Sequence, residues 1–182
     1  GGQHDAAASS HRGDHPAAVV LPRLRHHFTV KQHDFGPDCA DAWMVLAESA
    51  STPEAALPSF ERAVEAGARA IGTERFADLT GSFWGHLDTR PYMRARLALA
   101  GTLRVLGRTE EALDHYREML RLNPGDNQGV RYVLVPSLLE EQMDDEVGTW
   151  LERYSDDVGA TIPYARLLWH YRKGGDSPRT LT

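Results

Sequence analysis

The densest group of side chains that could do chemistry lies between residues 84 and 96. It contains an acid, a base and several cations. As an enzymatic site, the acid and the base could exchange protons with a substrate. As a ligand site, Arg90 and Arg94 could grip an acidic group while Trp84 supplies an apolar wall. The members of this group, beside Trp84, are His86, Asp88, Arg90, Tyr92, Arg94 and Arg96.

The same mixture of residues also arises where a loop docks on a helix. Asp88 and Thr89 are residue types that cap helices, and Pro91 would suit the first helical turn that follows them. We favour this structural interpretation over a catalytic one. The sequence shows no phosphate-binding glycine loop, nucleophile elbow, paired-cysteine zinc spacing or zinc-protease motif. We therefore predict that the chain is not an enzyme.

Histidines are concentrated near the start of the chain. They could form a metal-binding arm, but no pair shows the spacing of a zinc motif, so we favour a titratable tail and predict no metal and no cofactor. Cys39 is the only cysteine, which excludes an intrachain disulfide, and we interpret it as a plain thiol rather than a nucleophile. A single cysteine fits a reducing compartment, and we predict a cytoplasmic location. Six of the nine histidines are His4, His11, His15, His26, His27 and His33.

Overall charge and hydropathy exclude two classes of partner. The net charge of −6 argues against a general nucleic-acid binder, because phosphate contacts need a basic surface. No apolar run approaches the length of a membrane span, and no secretory signal is visible. We therefore predict neither nucleic acid nor membrane as a partner.

The elements that would position these side chains are helices. Residues 96–124 predict two amphipathic helices, the first closed by Gly107 and the second stopped by Pro124. In the second helix, apolar residues recur at i, i+4, i+7 and i+8, with Thr109 as the expected N-terminal cap. A single pair of this kind cannot bury its apolar face alone, so neighbouring pairs must exist. The inward face of the second helix is Ala112, Tyr116, Met119 and Leu120.

This unit resembles the tetratricopeptide repeat family. Residues that fall on the family pattern at the correct spacing are Leu99, Ala100, Gly107, Ala112, Tyr116 and Pro124. The resemblance implies an all-α fold, an α-α superhelix or solenoid of about three helix pairs plus a terminal helix. It also implies a scaffold that binds a peptide or helix of a partner protein in a concave groove lined by the first helices of the pairs.

Further units follow and precede this one in the same register. The next unit carries Gln142 in place of the turn glycine and has Pro136 inside its first helix. An upstream unit places Pro53 in the first turn of its second helix. A last helix has no partner helix in the sequence, so a homodimer through it is a further possibility. Its apolar residues are Tyr164, Leu167, Leu168 and Tyr171.

The predicted domain organisation has three parts. Residues 1–17 lack large apolar side chains and predict a disordered tail. Residues 18–39 form an irregular segment, and residues 40–182 form the helical repeat domain. Within that domain the stretch 72–91 exceeds the repeat length and is interpreted as an insertion, with a short helix near 74–79. Long connections in compact folds are often functional.

The predicted partner-binding residues lie in the insertion and in the groove. The resemblance places Arg94, Leu97, Arg104 and Tyr132 on the groove, together with Gly101 and Pro136. Some family members bind the terminal carboxylate of a partner with a set of Lys and Asn residues. This chain lacks that set, so we do not expect it to be an adaptor that binds the C-terminal tail of a chaperone. The alternative function is a small-ligand-binding or enzymatic helical domain that uses the Trp84–Arg96 region. The insertion contributes Trp84, His86 and Arg90 to the predicted surface.

Overall fold

A computed structural model describes residue 36 and residues 38–174, and every regular element in that part of the chain is helical. Residues 1–35, residue 37 and residues 175–182 lie outside the described part. The predicted tail at 1–17, most of the predicted segment at 18–39 and the six N-terminal histidines therefore lie outside it too. The helices are α1 (Ala40–Ser49), α2 (Pro53–Ile71), α3 (Thr73–Asp78), α4 (Arg90–Val105), α5 (Thr109–Leu122), α6 (Arg131–Glu140), α7 (Asp144–Arg153) and α8 (Thr161–Gly174).

Most of these helices are arranged in consecutive pairs. Helix α1 packs on α2, α4 on α5, and α6 on α7, while the second helix of each pair also contacts the first helix that follows it. Helix α8 rests on α6 and α7. The predicted all-α architecture of three pairs and a terminal helix is therefore confirmed for the described residues. Among them, no helix combines the length and the apolar character needed to cross a bilayer.

The core is built from the predicted inward faces. On α5, Ala112, Tyr116, Met119 and Leu120 are all buried, as their spacing predicts. Buried side chains of α4 and α6 face them and form a single apolar cluster. Each fully buried leucine contributes about 1.5–3 kcal/mol relative to an exposed one. This burial, rather than intrinsic helix propensity, holds the short helices in place.

A close approach between α2 and α4 fixes the junction of the first two pairs. A Cβ atom added at Gly67 would lie 2.9 Å from the Tyr92 Cβ atom and 3.0 Å from its Cα atom. Only a residue without a side chain fits there. The position of α4, which carries several of the predicted site residues, therefore depends on this glycine.

Two turns end their helices with the same hydrogen bonds. At the end of α4, Gly107 has φ +74°; its N–H donates to Arg104 O (3.0 Å), and the next N–H donates to Leu103 O (2.9 Å). At the end of α6, Gln142 adopts φ +59° and forms the same pair of bonds. The prediction that Gly107 closes α4 is confirmed. Gln142 replaces the glycine but keeps the turn, in a backbone region that favours glycine.

Two predicted caps are wrong. The cap residue of α5 is Arg108, with no side-chain cap bond, and Thr109 is already the first helical residue. At α4, Thr89 occupies the cap position, but its Oγ1 donates to the carbonyl oxygens of Phe83 and His86 rather than receiving a helical N–H. The turn before α4 therefore engages the Thr89 hydroxyl. Pro91 does lie in the first turn of α4.

The stretch 72–91 is ordered by aromatic packing. It forms α3, where a short helix is predicted, and two 3-10 turns at Phe83–Gly85 and Leu87–Thr89. Phe83 is fully buried, and its ring meets Phe76 and Tyr92 edge to face with centroids 4.8 and 6.0 Å apart. Such pairs add about 0.5–1.5 kcal/mol each. This stretch is thereby anchored at the start of α4.

Candidate binding surface

One side of α4 is only partly buried. Five residues at i, i+4, i+7, i+11 and i+14 lie along it, while Leu99, Ala100 and Leu103 on the other side are buried. Leu97 is half-buried and Arg94 is exposed. A Cβ atom added at Gly101 would meet no heavy atom within 4 Å. We call this surface the α4 face; it consists of Arg90, Arg94, Leu97, Gly101 and Arg104.

Ion pairs join the α4 face to the first helices of the neighbouring pairs. Arg94 Nη2 donates to Asp41 of α1, at 2.8 Å to Oδ1 and 3.1 Å to Oδ2. Arg104 Nη2 donates to Glu140 Oε2 of α6 at 2.8 Å. Side chains this exposed contribute at most about 1 kcal/mol per pair. The pairs therefore order the surface without holding the fold together, and an incoming charged group could replace either carboxylate.

Sequence reasoning found the two arginines and missed both carboxylates. Asp41 lies 53 residues before Arg94, and Glu140 lies 36 residues after Arg104. The repeat period could have indicated only the ion pair of Arg104 with Glu140. Positions about one repeat apart lie side by side in stacked units, and these two residues are 36 positions apart.

Trp84 lies beside Arg90 at one end of the α4 face. The Arg90 guanidinium lies over the Trp84 ring, 5.1 Å from its centroid, and Arg90 Nε donates to Trp84 O at 3.1 Å. This contact between a cation and an aromatic ring contributes about 0.5–1 kcal/mol at an exposed site. His86 is half-buried, and it contributes main-chain groups: its N–H donates to Phe83 O, and its carbonyl oxygen accepts from Thr89.

The acid and the base of the 84–96 group belong to separate contacts. Asp88 pairs with Arg75 of α3 at 2.8 Å, and the hydrogen bond from Arg75 lowers the pKa of Asp88 below its usual value. Arg96 lies over the Tyr92 ring, 5.5 Å from its centroid. Across the described residues, no group of three or more His, Cys, Asp or Glu side chains is placed to hold a metal ion.

Tyr132 belongs to a partly buried ion-pair network. Its hydroxyl donates to Asp157 Oδ2 at 2.9 Å and accepts from Arg131 Nη2 at 2.7 Å. Arg131 also pairs with both Asp157 and Asp126, and only 1% of the Asp126 side chain is exposed. The predicted groove residue therefore locks the start of α6 to the turn before α8. Sequence reasoning missed this network, because its members lie far apart in the chain.

A second depression lies away from the predicted residues. It is open to solvent, has a volume of about 630 Å³ and is mostly apolar. Its one charged lining residue, Arg121, is already paired with Glu118 at 2.6 Å. No predicted site residue borders it. The lining residues are Ala68, Gly72, Thr73, Phe76, Ala77, Thr80 and Arg121.

Part of the chain matches a known protein family. Residues 93–135 match the model of the family described as Tetratricopeptide repeat. The matched segment runs from the first turn of α4 through α5 into α6. It contains four residues of the α4 face, which are Arg94, Leu97, Gly101 and Arg104. Neither the curated proteins nor the solved structures yielded a match to the chain.

Proposed function

Because this chain carries a tetratricopeptide repeat, a motif of protein-interaction modules, we propose that it binds a peptide or helix of a partner protein along the α4 face. In this proposal the α4 face forms the floor of a concave groove in a solenoid, between α1 and α6. Trp84 and His86 border one end of the groove, and Tyr132 stands beside it on α6.

The observation that carries this proposal is the open space at Gly101. A glycine inside a helix lowers stability by about 0.5–1 kcal/mol relative to alanine. At Gly67 the close approach of Tyr92 explains the glycine, but at Gly101 no neighbour within 4 Å requires it. A missing side chain on this helix face would let a ligand backbone come close. The glycine at position 101 therefore supports a binding role for this face.

The flanking groups favour a partner with an apolar centre and charged ends. Leu97 and Gly101 form an uncharged strip, and the exposed pairs Arg94–Asp41 and Arg104–Glu140 stand at its two ends. A partner carboxylate could replace Asp41 or Glu140 at little free-energy cost, since such pairs are weak. Charged groups at the rim would then set the orientation of the segment more than its affinity.

The proposed role is non-enzymatic and cytoplasmic. A catalytic use of the Trp84–Arg96 region would require its acid and base to face one reacting atom. Asp88 instead pairs with Arg75, and His86 contributes main-chain hydrogen bonds to its own turn. No specific observation favours the small-ligand alternative.

Filling the open space at Gly101 tests the proposal. Peptides would be selected from a random library on the immobilised chain, and their affinities measured by titration calorimetry. We expect Gly101→Leu to weaken binding at least tenfold, because the new side chain occupies the strip, while thermal stability stays equal or rises. The matched control is Ala70→Leu, which adds the same side chain on an exposed position of α2. Unchanged affinity in Gly101→Leu would overturn the proposed site.

A further inference from the structure

Helix α8 presents an apolar stripe that nothing in the described chain covers. The stripe residues are spaced i, i+3, i+4 and i+7, which places them on one face of the helix. The opposite face, with Ile162 and Ala165, is buried against the preceding helices. The exposed fractions along the stripe are 72% for Tyr164, 46% for Leu167, 43% for Leu168 and 56% for Tyr171.

The same face is buried in the preceding first helix. Counting back 33 positions from Leu167, Leu168 and Tyr171 gives residues of α6 that are all fully buried, on a helix that packs against its second helix, α7. Within the described residues no second helix follows α8. The stripe is therefore the pair-forming face of a first helix. The buried counterparts are Leu134, Val135 and Leu138.

We propose that the stripe is the interface of a homodimer, in which α8 of a second copy packs antiparallel against it. The stripe residues Tyr164, Leu167, Leu168 and Tyr171 have the same residue types and the same spacing whether they are counted from the start or from the end of the helix. A two-fold axis between Leu167 and Leu168 would set each leucine against the other leucine of the second copy, and each tyrosine against the other tyrosine. A two-fold interface needs such self-complementarity. The α8 helix of the second copy would then occupy the place that the second helix holds in each helix pair.

The charges of α8 do not set the direction of the two helices. Helix α8 has no acidic residue, and the two cations of its last turn, Arg172 and Lys173, already pair with Asp144 and Asp145 of α7. The antiparallel direction rests on the spacing of the stripe, which a two-fold axis superposes on itself. It also agrees with the helix dipoles, whose opposite ends lie side by side in an antiparallel pair.

The area of the stripe predicts a weak dimer. The exposed parts of the four side chains amount to at most roughly 500 Å² per chain, given that a buried aromatic residue covers about 150–250 Å². Two copies would bury at most about 1,000 Å² in total, which is the lower limit for a specific interface. We therefore expect a dissociation constant in the micromolar range.

Sedimentation equilibrium of the full chain tests the dimer. From about 1 µM to about 1 mM, wild type should pass from monomer to dimer, and the double variant Leu167→Glu, Leu168→Glu should stay monomeric with unchanged helical content. Val105→Glu is the matched control, because Val105 lies on α4 and is 72% exposed. The Val105→Glu chain should dimerise as the wild type does. A wild-type chain that is monomeric throughout, or a double variant that still dimerises, would refute the proposal.

Cross-linking tests the direction of the two helices. In a Cys39→Ser background, Tyr164→Cys and Tyr171→Cys would be prepared as single variants and treated with a short bis-maleimide. An antiparallel dimer should cross-link a mixture of the two variants far more than either variant alone. Stronger linkage within each single variant would show a parallel arrangement and contradict the proposal. Since no stripe residue belongs to the α4 face, failure here leaves the proposed peptide site intact, and the reverse also holds.

Discussion

At the scale of single residues, His115 couples folding to pH. Its Nδ1 atom is buried without a hydrogen-bond partner. Burial, and next the charge of Arg96, lower the pKa of His115 from 6.5 to about 4. Above pH 6.5 the imidazole is neutral in both the folded and the unfolded chain. As the pH falls from 6.5 toward 4, the unfolded chain binds a proton that the folded chain does not, so stability decreases.

We predict that His115→Leu weakens the dependence of the free energy of unfolding on pH. Between pH 7 and pH 5 the wild-type free energy of unfolding should fall by about 1–2 kcal/mol more than that of the variant. Urea denaturation at the two pH values, followed by circular dichroism, measures the difference. Groups that titrate alike in the wild type and the variant cancel in this difference. Parallel losses in wild type and variant would show that His115 is accessible to protons in the folded chain.

The charge of Arg131 stabilises the fold. It pairs with Asp126, of which 1% is exposed, and with Asp157, of which 9% is exposed. Removing the cation leaves two poorly solvated carboxylates. We predict that Arg131→Met lowers the free energy of unfolding by about 3–5 kcal/mol.

The control for this prediction is an exposed pair of the same type. Arg108 and Glu111 are joined at 2.6 Å, with 40% and 56% of their side chains exposed. Arg108→Met should change the free energy of unfolding by less than about 1 kcal/mol. Equal effects of the two substitutions in urea denaturation would mean that the network around Arg131 is solvated and dispensable.

At the scale of elements, two glycines inside helices have opposite surroundings. Gly67 of α2 lies against the Tyr92 backbone, whereas Gly101 of α4 faces open space. We predict that Gly67→Ala lowers the free energy of unfolding by about 1–3 kcal/mol, because α2 and α4 must separate. Gly101→Ala should raise it by about 0.5–1 kcal/mol through better helix propensity. Thermal unfolding of both variants checks the contrast, and a stable Gly67→Ala variant would contradict the close approach.

Periodicity and turn residues predict the helices because both depend on neighbours in sequence. The inward face of α5 and the glycine turn at Gly107 follow directly from the spacing of apolar residues. The caps at Thr89 and Thr109 do not. The Thr89 hydroxyl bonds to carbonyl oxygens of the preceding turn, and α5 includes Thr109 as its first residue. The left-handed conformation of Gln142 is a similar case, because the packing of α6 on α7 holds a residue there that glycine would suit better.

At the scale of the whole molecule, the sequence predicts the order of helix pairs but not the contacts between them. Repeats of similar length must stack to bury their apolar faces, so three pairs and a terminal helix can be predicted. The pairing of Arg94 with Asp41 and of Tyr132 with Asp157 depends on residues far apart in the chain. The candidate surface could thus be assigned to α4, whereas its ion pairs and the burial of the network at Tyr132 required the structure.

The two proposed surfaces have separate roles and lie on different helices. The α4 face would bind a partner segment, and the α8 stripe would join two copies. A dimer would then present two α4 faces to one bivalent partner, which raises the effective affinity without new contacts.

Chemical-shift mapping of a bound peptide tests the central claim most directly. The ¹⁵N-labelled chain would be titrated with a peptide selected on wild type, and the amide shifts followed by NMR, with Gly101→Leu as the reference that should not respond. We predict that the largest changes fall on Arg94, Leu97, Gly101 and Arg104 and on the paired Asp41 and Glu140. Changes confined to the stripe of α8, or to the depression between α2 and α3, would contradict binding at the α4 face.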